Sequence, residues 1–180
     1  MGLKEYVRKM KGGGHSPPRV SGEEIFLSWL NAFFGMGLCG LLSFSYFEPE
    51  GTTLLIGSFG ASAVLLYVTP KSPFAQPRNL LGGHLISAAV GVLCFELLGC
   101  NSLGASLAVA SSIALMHITR TLHPPGGATA LIAVIGGPKI HDLGFLYILV
   151  PTGLGATVLL LVALFLNNLS GTRRYPEYWI

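Results

Sequence analysis

Residues 25–47 contain no charged side chain, and neither do 52–69, 103–118 or 143–169. The stretch 80–99 carries one, Glu96. A membrane-spanning helix needs about 20 largely apolar residues, and three of these runs reach that length. Charges excluded from runs this long constrain the chain to a lipid environment. A soluble alternative fails on surface area. The charged fraction is 11%, against about 25% in globular domains. Covering a surface with so few charges would leave large apolar patches in water. The same composition, with a mean hydropathy of +0.63, also excludes intrinsic disorder. Backbone polar groups must be satisfied inside hydrocarbon, so apolar runs of this length are helices. The fold class is an all-α membrane protein.

The runs divide the chain into a polar lead-in at 1–24, a transmembrane domain at 25–169 and a tail at 170–180. The lead-in is basic and has no apolar core, so it is not a cleavable signal peptide. It has no base-stacking aromatic pattern either, which argues against nucleic-acid binding. Within the domain we expect six membrane segments: 25–47, 52–69, 80–99, 103–118, 128–135 and 143–169. The second is interrupted by Gly57-Ser58-Phe59-Gly60. The fifth is too short to cross alone and follows His123-Pro124-Pro125-Gly126-Gly127. The last is expected to be the longest span, and Glu48-Pro49-Glu50-Gly51 is expected to be a turn.

The two interrupted segments share a pattern. Residues 60–65, GASAVL, match 127–132, GATALI, with three identities in six and the rest conservative. Each match sits in the middle of a three-segment half. An odd number of crossings per half makes the halves point in opposite directions, which predicts a 3+3 inverted repeat whose second and fifth segments are short half-helices. Gly/Ala patterns also recur in ordinary packed membrane helices. Basic residues fit the six-crossing topology. Ten of the eleven Lys and Arg fall on one side, with Lys139 the exception. By the positive-inside rule that side is cytoplasmic or stromal, and both termini lie there. A five-crossing alternative, with the His123 segment re-entrant, would place Arg173 and Arg174 outside.

The candidate site is where the two short helices begin. Proline suits a first helical turn, and glycine lets backbone approach a ligand. A helix that starts within the membrane leaves orphan N–H donors and the positive end of its dipole there. A small inorganic anion is the natural ligand. The substrate-binding candidates are Gly57, Ser58, Gly60, Ser62, Arg120, His123, Gly126, Gly127 and Thr129. Thr121, Thr53 and Thr52 are further hydroxyl donors. Arg120 would compensate the anion's charge, unless it is an ordinary basic anchor. His123 would donate a hydrogen bond or carry a proton, unless it caps the helix start. Glu96 is the other candidate for proton coupling, against a simple reach to the interface. His84, His117 and His123 show no metal-ligand spacing, and no cofactor or metal is expected.

The remaining signals read as structural. Gly83, Ser87 and Gly91 form a small-residue face for close helix packing. Asn31 suits a helix–helix hydrogen bond. Phe26, Trp29, Tyr46, Tyr67, Tyr175 and Trp179 suit the membrane interface. Cys39, Cys94 and Cys100 are too few for a disulfide framework and read as packed or lipid-facing. Gln76 and Asn79 could cap the third span. Arg78 would attract or gate anions, or only orient a rigid proline loop.

At His123-Pro124-Pro125-Gly126-Gly127-Ala128-Thr129-Ala130-Leu131 the sequence resembles the HPP family of integral membrane proteins. The resemblance extends to Gly57-Ser58-Phe59-Gly60-Ala61-Ser62-Ala63, to Ala75-Gln76-Pro77-Arg78-Asn79 and to Gly82-Gly83-His84. It covers about residues 24–178. It implies a nitrite transporter, or one for a similar small anion, in a bacterial inner (cell) membrane or a plastid-type membrane. The family is usually described with four transmembrane helices, which is compatible with four full spans and two interrupted segments. Many members carry C-terminal CBS domains; this chain leaves no room for one, so adenine-nucleotide regulation in cis is not expected. The alternatives are a non-transporting membrane subunit and an intramembrane enzyme using His123, though transport rather than catalysis is expected. So short a unit around a central site also suggests a homo-oligomer.

Overall fold

The computed structural model describes residues 2–11, 13–48, 51 and 53–180. Pro49 and Glu50 of the expected turn, and the Thr52 hydroxyl, lie outside the described residues. The regular elements among the described residues are all helices, with no strand among them. The helices are α1 (Leu3–Met10), α2 (Gly22–Leu42), α3 (Gly57–Val68), α4 (Pro77–Leu98), α5 (Ser102–Ile118), α6 (Pro125–Ile135), α7 (Pro138–His141) and α8 (Leu154–Leu169). A π-helical turn, Ser43–Phe47, extends α2, and another, Ile148–Gly153, leads into α8. Three stretches are long and apolar enough to cross a membrane: Gly22–Phe47, Pro77–Leu98 and Ile148–Leu169. Helices α3, α5 and α6 are apolar but shorter.

Local chemistry sets the boundaries. Ser21 caps α2 by accepting from the Glu24 N–H at 3.2 Å, the first half of a capping box. Asn101 caps α5 through the Gly104 N–H at 2.9 Å. Pro125 opens α6 at its first position, where a missing N–H does no harm. The last apolar run is not one continuous helix, as the sequence suggested. Val150, ahead of Pro151, is extended at φ −134 and ψ 122. A proline removes the ladder donor and pushes the residue before it out of the helical region, so α8 starts only at Leu154. The lead-in also differs from expectation. It forms α1, an exposed helix with Leu3, Tyr6, Val7 and Met10 on one face.

Helix α4 is the central element and packs most heavily on α6 and α5. The Gly83, Ser87 and Gly91 face packs closely, as expected, and its partners are α6 with its lead-in and Met116 of α5. A Cβ at Gly91 would lie 2.6 Å from the Ala130 carbonyl oxygen, so only glycine allows that approach. Helix α3 packs on α8 by other means. A Cβ at Gly155 would lie 2.1 Å from the Phe59 ring, so an aromatic fills the glycine's hollow there. Among the six apolar helices the packed pairs are α2–α3, α2–α8, α3–α8, α3–α6, α4–α8, α4–α5, α4–α6 and α5–α6. Exchanging α2, α3 and α4 for α5, α6 and α8 maps this set onto itself.

The segments carrying basic residues meet at one end of the bundle. Arg78 donates to the Thr119 carbonyl, Arg173 bonds Glu24, and the Tyr175 hydroxyl donates to the Ala75 carbonyl. Lys139 lies at the other end, paired with Glu48 at 3.7 Å.

The tail is docked rather than loose. Tyr175 is 2% exposed, and the Gln76 side chain accepts from the Glu177 N–H. Tyr175 and Tyr67 are therefore buried, not interfacial; the Tyr67 hydroxyl donates to the Leu159 carbonyl. Phe26, Trp29, Tyr46 and Trp179 are exposed, as interface residues should be. Cys39 is buried, Cys94 half-buried and Cys100 exposed, all of them free.

Candidate functional site

Helices α3 and α6 lie antiparallel and overlap at their N-terminal turns. Ser58 in the first turn of α3 meets Thr129 in the second turn of α6, hydroxyl to hydroxyl at 2.9 Å. Ser62, one turn further along α3, meets His123 just before α6, at 2.8 Å from Nε2. The two helices thus enter from opposite directions and pass each other by about one turn. Ser58, Ser62, His84, His123 and Thr129 are all fully buried.

His84 of α4 completes the cluster. Its Nε2 lies 2.8 Å from the Ser62 hydroxyl and its Nδ1 2.7 Å from the Thr129 hydroxyl. The two imidazole centroids are 4.9 Å apart, and the Phe59 ring meets His84 edge-on. His123 Nδ1 sits 2.7 Å from the Phe74 carbonyl oxygen. That oxygen can only accept, so His123 carries a hydrogen on Nδ1. On a neutral ring the Nε2 then accepts from Ser62. Ser62 has a single hydrogen to give, so His84 donates to Ser62 through Nε2 and accepts from Thr129 at Nδ1. This pattern carries no formal charge, but it turns the one Thr129 hydrogen to His84 and so leaves the Thr129-to-Ser58 bond unmade.

Polar groups continue on both sides. On the basic end the Asn79 side-chain N–H donates to the Leu122 carbonyl, next to His123. On the other side the Tyr147 hydroxyl donates to the Thr129 carbonyl at 3.1 Å. Close to Tyr147 is the Thr152 hydroxyl. The Asn79 carbonyl oxygen and the Thr152 hydroxyl are buried without a hydrogen-bond partner. Such orphans are uncommon in native interiors. Asn79 thus lies on the basic side of the cluster and Tyr147 on the other.

Of the residues singled out from sequence, Ser58, Ser62, His123 and Thr129 come together. Gly126 packs beside them, where a Cβ would lie 2.7 Å from the Ser87 hydroxyl. Thr121 is buried, its hydroxyl 2.8 Å from that of Thr119. The backbone donors of Gly126 and Gly127 are engaged locally, bonding the His123 and Pro124 carbonyls. Gly57 and Gly60 lie on the exposed side of α3. Thr53 bonds Ser43 instead. Arg120 is exposed at the basic end, in a left-handed conformation at φ 57, and does not join the cluster. Glu96 is exposed near the far end of α4. Gln76 and Asn79 do not cap α4. Gln76 holds the proline loop through the Pro70 and Ser72 carbonyls, and Asn79 reaches across to Leu122.

Sequence reasoning passed over His84 and Tyr147. The buried stripe of α4 includes Leu80, Gly83, Ser87, Ala88 and Gly91. His84 falls within it at helical spacing, and an ionisable group on such a stripe is a functional signal. Among the described residues no group of three His, Cys, Asp or Glu is placed to hold a metal ion.

A family model for the HPP transmembrane region matches residues 17–176. Two transmembrane proteins of Dictyostelium discoideum are each 45% identical to the chain. One aligns over 179 residues, 97% of this chain and 57% of its own length. The other aligns over 181 residues, 97% of this chain and 63% of its own. The chain thus spans about three fifths of the length of these curated relatives. No solved structure matches.

Proposed function

The chain belongs to the HPP transmembrane family, and from that premise we propose that it transports a small monovalent anion, nitrite first among the candidates. The observation that carries this reading is the overlap of α3 and α6. Two short helices start inside the bundle from opposite sides, and their first turns share one cluster of hydroxyls and imidazoles. Hydroxyl O–H and imidazole N–H groups are the donors a small anion needs, and the helix dipoles favour negative charge at the same place. These donors now bond one another. The anion would take their place as partner, which requires α3 and α6 to part locally.

Two further features support transport. The self-matching set of helix contacts fits a 3+3 inverted repeat, with α3 and α6 as the paired half-helices. Secondary transporters of that kind bind substrate at the repeat interface and move one half against the other. The basic residues gathered at one end fit a cytoplasmic or stromal side carrying both termini.

The test is uptake into proteoliposomes containing the purified chain. Saturable nitrite flux above that of protein-free vesicles is expected, reduced at least tenfold in His123→Ala and Ser62→Ala. Absence of protein-dependent flux would count against the reading.

One observation favours a second reading. Ser62 lies 2.8 Å from His123 Nε2, the spacing of a nucleophile and its base. An intramembrane hydrolase would be labelled by a serine-directed fluorophosphonate, and Ser62→Ala would abolish the labelling.

A further inference from the structure

An anion entering this cluster would find no fixed positive charge. Arg78 is engaged with Thr119 at the basic end, and Arg120 is exposed there. No hydrogen bond from either imidazole goes to a carboxylate or a cation. The other titratable groups on the packed elements are held elsewhere. Cys94 and Glu96 lie toward the far end of α4, and His117 is exposed on α5. Tyr67 bonds Leu159, and Tyr147 bonds the Thr129 backbone. An uncompensated charge within hydrocarbon is expensive, by about 3 kcal/mol or more. Within the cluster only the two imidazoles can take up a proton and so supply compensation.

We propose that His84, Ser62 and His123 form a site for one proton, which is taken up and released together with the anion. This rests on the anion-transport reading of the same cluster. The heavy-atom positions accommodate two hydrogen patterns, and only the protonated one also makes the Thr129-to-Ser58 bond. In the neutral pattern His84 donates to Ser62, and Ser62 donates to His123. The added proton goes to His84 Nδ1 while Thr129 turns its hydrogen to Ser58. The His84 Nε2–H bond then breaks as the Ser62 oxygen gains that hydrogen, and Ser62 releases its own to His123 Nε2, which reverses the direction. His123 now donates to Ser62, Ser62 to His84 Nε2, His84 Nδ1 to Thr129, and Thr129 to Ser58 at 2.9 Å. The proton thus moves between the rings in a balanced exchange. No other bond changes. Rings 4.9 Å apart disfavour two like charges, so the pair takes one proton and not two.

The Phe74 carbonyl gives the relay its polarity. It keeps the Nδ1 hydrogen of His123 in place in both patterns, so only Nε2 of that ring exchanges. His84, by contrast, exchanges at both nitrogens and is the ring that connects Ser62 to Thr129. It is therefore a proton-carrying residue rather than a packing one.

The experiment uses proteoliposomes of the full chain with membrane potential clamped at zero by potassium and valinomycin. Nitrite and internal pH are followed together, and permeation of nitrous acid through protein-free vesicles is subtracted. With one-to-one coupling, an inward proton gradient of one pH unit drives nitrite accumulation toward about tenfold. Trapped pyranine should report a matching acidification. Flux that ignores the pH gradient at zero potential but follows a potassium diffusion potential imposed with valinomycin would overturn the proton site while leaving anion transport standing. No protein-dependent nitrite flux at all would overturn both. His84→Gln keeps a donor and an acceptor but cannot be protonated, and is expected to lose gradient-driven accumulation. Ser62→Ala provides the second variant. Undiminished coupling in both would remove the proton from this pair.

Discussion

Two buried polar networks join the elements of this bundle, and they are made of opposite kinds of bond. One is the Ser58, Ser62, His84, His123 and Thr129 cluster at the overlap of α3 and α6. The other lies at the basic end, around Arg173, which is 8% exposed. Arg173 pairs with the Glu24 carboxylate and donates to Ser28 of α2, to the Tyr67 carbonyl of α3 and to Asn167 of α8. Asn167 in turn accepts from Asn31 and donates to the Leu66 carbonyl. Guanidinium always donates, and carbonyls and carboxylate always accept, so every bond of this network has one fixed direction. In the α3–α6 cluster most members can do either. Fixed direction makes a clamp that ties α2, α3 and α8 to the tail. Reversible direction makes a site whose hydrogens can be rearranged without moving the helices.

The comparison can be broken most forcefully at the clamp. Removing one partner of a buried ion pair costs about 3–5 kcal/mol. The Glu24 side chain is 29% exposed, so Arg173→Ala is expected at the low end, about 3 kcal/mol, read by thermal unfolding in detergent. The protein that remains folded should keep the wild-type dependence of nitrite flux on pH gradient. A changed dependence would mean that the two networks are one. Ser62→Ala tests the other side. It leaves two buried imidazole nitrogens unbridged and is expected to lower stability by about 2 kcal/mol. Unlike Arg173→Ala, it should abolish coupling in whatever folds.

A smaller effect is expected at Tyr175, which docks the tail on Ala75. Tyr175→Phe removes one hydrogen bond and should lower stability by about 1 kcal/mol. Burial also pushes the Tyr175 hydroxyl above its ordinary value. The neutral phenol is therefore the form the fold prefers. Its contribution is fully present below the unfolded value of about 10 and lost as pH rises beyond it. Tyr175→Phe should lack that alkaline loss of stability, measured as the melting temperature from pH 9 to pH 12. An equal alkaline loss in the variant would move the effect to another group.

The legible parts of the site were those that punctuate the chain. Pro124-Pro125 and the Gly57-Ser58 start mark helix beginnings, and a shared GA[ST]A pattern links the two segments. From them the Ser58, Ser62, His123 and Thr129 group could be assembled. His84 was not assigned a role because nothing around it interrupts α4. Its importance depends on which face α4 turns to α6, set by Gly83 and Gly91. Arg120 looked like a charge partner because it lies three residues before His123. Its left-handed backbone leaves the chain at the basic end, and sequence distance does not translate into reach. The kink at Val150–Pro151 was visible as a proline within an apolar run but was read through.

By itself the sequence determined the solvent and the all-helical class. Apolar runs free of charge have only one stable environment, and backbone in that environment is helical. It also marked the beginnings of α3 and α6, because proline and glycine act over a few residues, while the start of α8 at Leu154 was not read from it. Only the tertiary structure decided which polar groups meet. The pairing of Ser62 with two histidines from 22 and 61 residues away depends on an antiparallel overlap of α3 with α6. Close glycine contacts hold the neighbours of that overlap, α4 against α6 at Gly91 and Gly126 and α8 against α3 at Gly155, between helices far apart in the chain.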